Sequence, residues 1–162
     1  MVILTDNGIK TLMFNIINNP NIYAKLKSLE GNEKDFNFSR INRIFTDISY
    51  SLEGRDNNSY TYSLLVGSGD TPATPGDYEW NNDISTVTGT SYSLGFADRN
   101  GRKVIRATVT YANNTDTDIE VKEVGLIASY GKTSYLLARE VLKTPMTIKA
   151  NGGIQTFGMD IM

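Results

Sequence analysis

From Tyr60 to the C-terminus, the chain alternates hydrophobic and polar residues with the period of two that is typical of β-strands. In residues 103–112, one face carries Ile105, Ala107, Val109 and Tyr111, and the other carries Arg106, Thr108 and Thr110. Further strands are predicted at YTYSLLV, TGTSYSLGF, Ile119 to Ser129, Ser134 to Val141, MTIK and IQTFGMDIM. About seven or eight short strands separated by turns predict a mainly β fold, an antiparallel β-sandwich.

Glycine, asparagine and proline mark the turns between these strands. Asn100-Gly101 predicts a hairpin with a two-residue type I′ turn, because both central residues of that turn have positive φ. The segment GSGDTPATPGD (residues 67–77) is too rich in glycine and proline for regular structure. MTIK is predicted as a separate short strand that begins after Pro145.

The N-terminal segment has the periodicity of a helix instead. Asp6 can cap a helix whose apolar stripe is Ile9, Leu12, Met13, Ile16 and Ile17. Asn18-Asn19-Pro20 ends this helix, and a second short helix is predicted from Ile22 to Leu29, closed by Gly31. The stripe has two interpretations: it packs on the protein's own domain, or it buries its apolar face on a partner.

Residues 37–54 fit both periodicities, and we predict a short turn followed by a strand from Phe45 to Leu52. A polar loop from Gly54 to Ser59 follows. The predicted organisation is therefore an N-terminal helical or extended anchoring segment, residues 1–55, followed by a β-sandwich domain, residues 56–162.

Composition narrows the function classes. The 162 residues include no cysteine and no histidine, which removes thiolate chemistry, the commonest general base and the commonest metal ligand. The net charge is −2 and basic residues are not massed, so nucleic-acid binding is not expected; Arg102, Lys103 and Arg106 are predicted to form a solvated rim. Neither a membrane span nor a signal peptide is predicted, so we expect a soluble, unexported protein without cofactor or bound metal.

EVGLIASYGKTSYLLARE (Glu123 to Glu140) is predicted to be a hairpin with charges at its base. With a two-residue loop at residues 131–132, Glu123 would face Glu140, and Arg139 would face Val124. With a three-residue loop, Glu123 would stand opposite Arg139 and form an ion pair. Inside the sandwich such a pair would fix the strand register more than it would stabilise the fold; at the strand ends both charges would be solvated.

The segment GSGDTPATPGDYEWNND (residues 67–83) collects the acidic residues Asp70, Asp77, Glu79 and Asp83. Calcium prefers oxygen ligands from such loops, but this spacing fits no twelve-residue calcium loop, and turns favour aspartate in any case. Tyr78 and Trp80 could stack on a sugar or pack the loop. A glycan-cleaving enzyme that uses carboxylates alone would depend on Asp70 or Asp77.

Several segments taken together resemble a β-sandwich module of tailed bacteriophages, which occurs in small virion proteins and at the ends of tail-fibre or baseplate proteins. They are Val66-Gly67-x-Gly69, the acidic loop residue Asp77, Glu123-Val124-Gly125-Leu126 and Leu137-Ala138-Arg139. The resemblance covers residues 60–162, and residues 1–59 lie outside it.

The resemblance implies a non-enzymatic virion structural protein, assembled in the host cytoplasm and present as a homo-oligomer or in many copies. Because the module follows only a short helical region here, a head-decoration, head-fibre or head–tail adaptor protein is expected. Its partners would be capsid, neck or tail subunits, bound through the N-terminal stripe, and it would have no catalytic residue. Structural roles are implied for Gly67, Gly69, Asp77, Glu123, Gly125 and Arg139. The alternative is a tail-fibre or baseplate module that binds a receptor or a carbohydrate.

Overall fold

The computed structural model of the chain describes residues 2–10, 23–37, 60–130 and 132–161. In these ranges the strands are β1 (Ile3–Leu4), β2 (Tyr23–Lys27), β3 (Glu33–Asn37), β4 (Tyr60–Gly67), β5 (Thr88–Arg99), β6 (Arg102–Asn113), β7 (Ile119–Tyr130), β8 (Thr133–Ile148) and β9 (Gly153–Ile161). A helical turn covers residues 6–10. The predicted mainly β, antiparallel fold after a short helical segment is confirmed. In the described part of the chain, no helix is long and apolar enough to cross a membrane.

Two sheets pack face to face and enclose the core. The four-stranded sheet has the order β1-β8-β7-β4, and the three-stranded sheet has the order β5-β6-β9. A two-stranded ribbon pairs β2 with β3. The core cluster between the two sheets includes Leu64, Val66, Val109, Leu126, Leu137, Phe157 and Met159. Removing these side chains from water is the main favourable term in folding.

Strands β5 and β6 form the predicted hairpin. Asn100 and Gly101 are its two turn residues, with φ angles of 52° and 76°. Both angles are positive, as a type I′ turn requires. The predicted alternation of β6 is confirmed as well, since Ala107, Val109 and Tyr111 are only 0%, 5% and 8% exposed.

The helix predicted from Ile22 to Leu29 is wrong, because β2 lies there. The described part of this segment pairs antiparallel with β3 through a turn in which Gly31 has a φ of 83°. Leu26 and Ser28 are buried, whereas Lys25 is exposed, so the chain here alternates with a period of two. The apolar pattern that favoured a helix covered too few residues to outweigh pairing with β3.

Strand β8 is continuous, although the sequence predicted two strands. Its ladder with β7 is interrupted at Lys122, where residues 142–145 lie opposite a single residue. Pro145 lies in this bulge, where its nitrogen, which cannot donate a hydrogen bond, is tolerated. The predicted interruption before MTIK is therefore wrong, because the bulge accommodates the proline.

Short segments of the chain bond to part of each outer long strand of the four-stranded sheet. At one side, β1 pairs with β8. Beyond β1, the Thr5 backbone nitrogen donates to the Leu137 carbonyl (3.0 Å), and the Thr5 hydroxyl donates to the Leu136 carbonyl (2.6 Å). At the other side, the Ile84 nitrogen donates to the Val66 carbonyl at the end of β4 (3.1 Å). The N-terminal residues and the long loop thus each bond to this sheet beside the base of the β7–β8 hairpin.

Residues before the predicted boundary at residue 55 also pack on the sandwich. Leu26 belongs to the core cluster, and Val2 and Leu4 pack against it. The strand predicted from Phe45 to Leu52 and the polar loop from Gly54 to Ser59 lie outside the described residues.

Strand β7 is buried on both faces. Val124 and Leu126 point into the core between the sheets. Glu123 and Gly125 alternate with them and point to the other face, where the long loop (residues 68–87, between β4 and β5) covers them. A charged side chain is therefore enclosed between a sheet and a loop.

Candidate functional site

The ion pair at the base of the hairpin depends on a β-bulge that neither predicted register contained. Residues 131–132 connect β7 and β8, as the two-residue register required. The ladder then shifts by one residue at Leu137, so Arg139 lies opposite Gly125 and not opposite Val124. This shift brings Arg139 to the face that carries Glu123.

Arg139 lies between two carboxylates. Its Nε and Nη2 atoms are 2.7 Å and 2.6 Å from Oε2 of Glu123, and its Nη1 atom is 2.8 Å from Oδ2 of Asp77. The side chains of Glu123, Arg139 and Asp77 are 1%, 10% and 20% exposed. We call these three residues the ionic triad. Because Asp77 belongs to the long loop and the other two to the sheet, the triad fixes the loop to the sheet.

The long loop holds Asp77 in its ionised form. Burial alone would raise the pKa of Asp77, but hydrogen bonds from Thr74 and Arg139 outweigh it and hold the pKa below its usual value. The Thr74 hydroxyl and backbone nitrogen donate to the Asp77 carboxylate at 2.7 Å and 3.1 Å. For Arg139, burial would lower the pKa, but hydrogen bonds to Asp77 and Glu123 raise it. Asp77 and Arg139 are therefore both charged near neutral pH.

Glycines allow the loop and the sheet to approach closely. The Gly69 nitrogen donates to Oε1 of Glu123 at 3.1 Å. A Cβ atom on Gly67 would lie 2.7 Å from the same oxygen, and one on Gly69 would also collide with the Glu123 carboxylate. On β7, a Cβ atom on Gly125 would lie 2.5 Å from the ring of Trp80. Larger residues at these positions would separate the loop from the sheet.

The structure brings together all six residues for which the sequence predicted structural roles. They are Gly67, Gly69, Asp77, Glu123, Gly125 and Arg139. Trp80 lies on Gly125, and its indole nitrogen donates to the Asp83 carboxylate (3.3 Å). The indole ring of Trp80 therefore covers β7, the strand that carries Glu123.

A cleft of about 320 Å³ opens beside the triad; it is lined by residues 71 and 76–82 together with Glu123 and Arg139. The Lys27 ammonium lies 3.5 Å from the centroid of the Tyr78 ring. Trp80 is half-buried against Gly125. Both aromatic side chains therefore have intramolecular contacts, as expected of residues that pack the loop.

The other acidic residues of the loop do not converge on one point. The Asp70 carboxylate is 80% exposed and 3.9 Å from the Lys122 ammonium. Glu79 accepts a hydrogen bond from Asn81 (2.6 Å), and Asp83 accepts the one from Trp80. Among the described residues, no group of three or more acidic side chains is arranged to hold a metal ion.

The triad is poorly suited to glycoside cleavage. Such chemistry needs a carboxyl group that stays protonated so that it can donate to the leaving oxygen. The pKa of Asp77 is lowered, and both of its carboxylate oxygens accept hydrogen bonds from Thr74 or Arg139. Asp77 is thus arranged to stay ionised near neutral pH and to hold Arg139.

The apolar stripe is described only at its start. Ile9 lies in the helical turn of residues 6–10 and is 40% exposed. Leu12, Met13, Ile16 and Ile17 lie outside the described residues. The predicted basic rim makes ion pairs on the three-stranded sheet: Lys103 with Asp98 (2.7 Å) and Arg106 with Asp160 (3.2 Å). Arg102 is exposed.

Sequence reasoning missed Thr74, which orients the central acid of the triad. The Asp77 nitrogen donates to the Thr74 carbonyl (3.2 Å), so residues 74–77 form a tight turn. The signal was available, because Pro75-Gly76 is a favoured pair for the centre of a turn, and threonine and aspartate often bond to a turn backbone.

No family model, no curated protein and no solved structure matches the chain.

Proposed function

We propose that the protein is a non-enzymatic structural component of a tailed-bacteriophage particle, of the head-decoration, head-fibre or head–tail adaptor type. It attaches to capsid, neck or tail subunits through its N-terminal segment, and it associates with copies of itself. The sandwich supplies a rigid body, and the N-terminal stripe supplies the attachment contacts.

One observation carries the proposal: the residues that resemble the phage module form a single structural unit. Arg139 pairs with both Glu123 and Asp77, and the glycines around them permit close packing. A motif whose members fix a loop to a sheet supports a role for a stiff surface. Assembly requires rigid, complementary surfaces and no reactive group.

The attachment is tested with substitutions and not with a deletion. Removing residues 1–30 would delete β1 and the core residue Leu26 along with the stripe. Instead, Ile9→Glu combined with Leu12→Glu places two charges on the stripe, and Ile154→Glu is the control, because Ile154 is 67% exposed on β9. We expect the double variant to fold but to be lost from particles, and the control to be incorporated. Normal incorporation of the double variant would end the proposal for the stripe.

The copy number in purified particles tests the wider proposal. Quantitative mass spectrometry is expected to detect the protein as a stoichiometric component. Hundreds of copies would indicate a shell decoration, and about a dozen would indicate the neck, the tail or a vertex. Absence of the protein from particles that are produced in its presence would refute a virion role.

A second candidate is a receptor- or carbohydrate-binding module, and the cleft beside Trp80 is the observation in its favour. The packing of Trp80 on Gly125 and of Tyr78 under Lys27 counts against it, because these contacts occupy ring surface that a sugar would use. A glycan array, together with melting curves with and without calcium, separates the candidates. Specific glycan binding that is abolished by Trp80→Ala would favour the module.

A further inference from the structure

Strand β5 is an edge of the three-stranded sheet. This strand has twelve residues and pairs only with β6. In the described ranges, no residue outside β6 exchanges a backbone hydrogen bond with β5. Unpaired backbone N–H and C=O groups along such an edge are a template for another strand.

The β5 edge also lacks the features by which proteins usually block edge pairing. Residues 88–97 contain neither a charged residue nor a proline. A bulge between Gly89 and Ser91 disturbs the start of the strand, but the ladder from Ser91 to Arg99 is regular. This regular part spans roughly 30 Å at ~3.4 Å per residue.

The charges at the end of β5 are neutralised within the chain. Asp98 pairs with Lys103 (2.7 Å), and Arg99 pairs with Asp160 (3.2 Å). The edge therefore has no excess charge that would repel an identical edge. A second copy of the same strand is electrostatically compatible with it.

The apolar row of β5 is incompletely covered on the side that faces the core. Tyr92 and Leu94 pack against the core cluster, but Phe96, which pairs with Ile105 in the same row, is 64% exposed. On β9, at the opposite edge, Phe157 and Met159 of the corresponding row are 2% and 0% exposed. The core-facing apolar row is therefore buried on β9 and partly exposed on β5, at Phe96.

We propose that two copies of the chain associate through β5, antiparallel and related by a two-fold axis perpendicular to the three-stranded sheet. The two sheets then form one six-stranded sheet in the order β9-β6-β5-β5-β6-β9. This symmetry keeps the core-facing sides of both sheets together, so the apolar row of one copy continues into that of the other and covers Phe96. Each β5 edge is used up by its partner, so this contact joins two copies and no more. The inference specifies the self-association in the proposed function and rests on it only for its biological role.

The test is the mass of the full-length protein in sedimentation experiments over a series of concentrations. The wild type is expected to be a dimer, and Phe96→Lys and Phe96→Glu are each expected to weaken dimerisation by roughly tenfold or more, because each variant places two like charges in the apolar row that the two copies share. Mixing the two variants in equal amounts is expected to restore a dimer. Since Phe96 is exposed in one copy, neither variant should unfold the chain.

Ile154→Lys is the matched control, because Ile154 is 67% exposed but lies on β9. It should dimerise like the wild type. A wild type that stays monomeric at every concentration, a mass above that of a dimer, or equal sensitivity to Phe96→Lys and Ile154→Lys would each overturn the inference. These results leave the virion role standing, because that role fails only when the protein is absent from particles.

Discussion

The two sheets of this protein differ in how much of their backbone and outward surface other segments contact. In the four-stranded sheet, β1 and Thr5 bond to β8, and the end of the long loop bonds to the end of β4. Its outward face is closed by the ionic triad and by Trp80 on Gly125. The three-stranded sheet has no such cover along β5, where the apolar row ends in an exposed Phe96.

This difference suggests a division of roles. Buried charges are costly unless every partner is present, so the triad restricts the long loop to one position on the sheet. An open strand edge is a hazard in a protein that acts alone, but it is an association surface in a protein that assembles. We therefore propose that one half of the molecule supplies rigidity and that the other half supplies the contact between copies.

The largest expected effect comes from breaking the triad. Arg139→Met leaves the Glu123 carboxylate, which is 1% exposed, without its cation. We expect the free energy of unfolding to fall by about 3–5 kcal/mol in urea titrations, because an uncompensated buried charge remains.

Lys103→Met is the control for this variant. It removes an ion pair of the same length, 2.7 Å, but Lys103 and Asp98 are 76% and 67% exposed. Solvent screens such a pair, so little change is expected. Equal losses in the two variants would mean that burial of the triad contributes nothing.

A smaller loss of stability is expected when the long loop is displaced from the four-stranded sheet. In Gly125→Ala, the added Cβ atom would meet the Trp80 ring at 2.5 Å, and we expect a loss of about 1–3 kcal/mol. Trp80 is the only tryptophan, so its fluorescence reports on this contact directly and should shift to the red. In the control Gly89→Ala on β5, the added atom meets Tyr111 at an ordinary 3.6 Å. An unshifted emission in Gly125→Ala would contradict the packing of the loop on β7.

The smallest expected effect is on the attachment of the long loop at low pH. The folded pKa of Asp77 lies below its unfolded value, so its ionised form contributes stability above about pH 4, and this contribution is lost as the pH falls through the folded pKa. We expect Trp80 fluorescence to report release of the loop in this window, before global unfolding. Asp77→Asn should remove that early transition, whereas Asp98→Asn should leave it in place. An early transition that persists in Asp77→Asn would assign it to another group.

Local patterns predicted the strands well and the bulges poorly. Asn100-Gly101 specified its hairpin because only positive φ angles close that turn, and β6 alternated because one face packs on the core. The β2 segment was too short for its spacing to decide between helix and strand. The sequence predicted that the strand would be interrupted at Pro145, but β8 continues through it because a bulge accommodates the proline.

The candidate site was predictable in its residues but not in its geometry. The sequence showed that Glu123 and Arg139 lie near the base of one hairpin, and loop length alone gave two registers. The bulge at Leu137, which moves Arg139 to the face of Glu123, has no local signature. It is determined by contacts with the N-terminal residues and the long loop, since Thr5 and Asp77 bind at or beside it. Only tertiary structure contains that information.

Hydrogen–deuterium exchange of backbone amides at low and high protein concentration tests the central claim most directly. The account predicts that those amides of residues 91–97 in β5 that do not bond to β6 exchange fast in dilute solution and become protected as the concentration rises. Amides of residues 123–128 in β7 should stay protected at every concentration. Exchange in β5 that does not depend on concentration, or β7 amides that exchange as fast as those of β5, would contradict it.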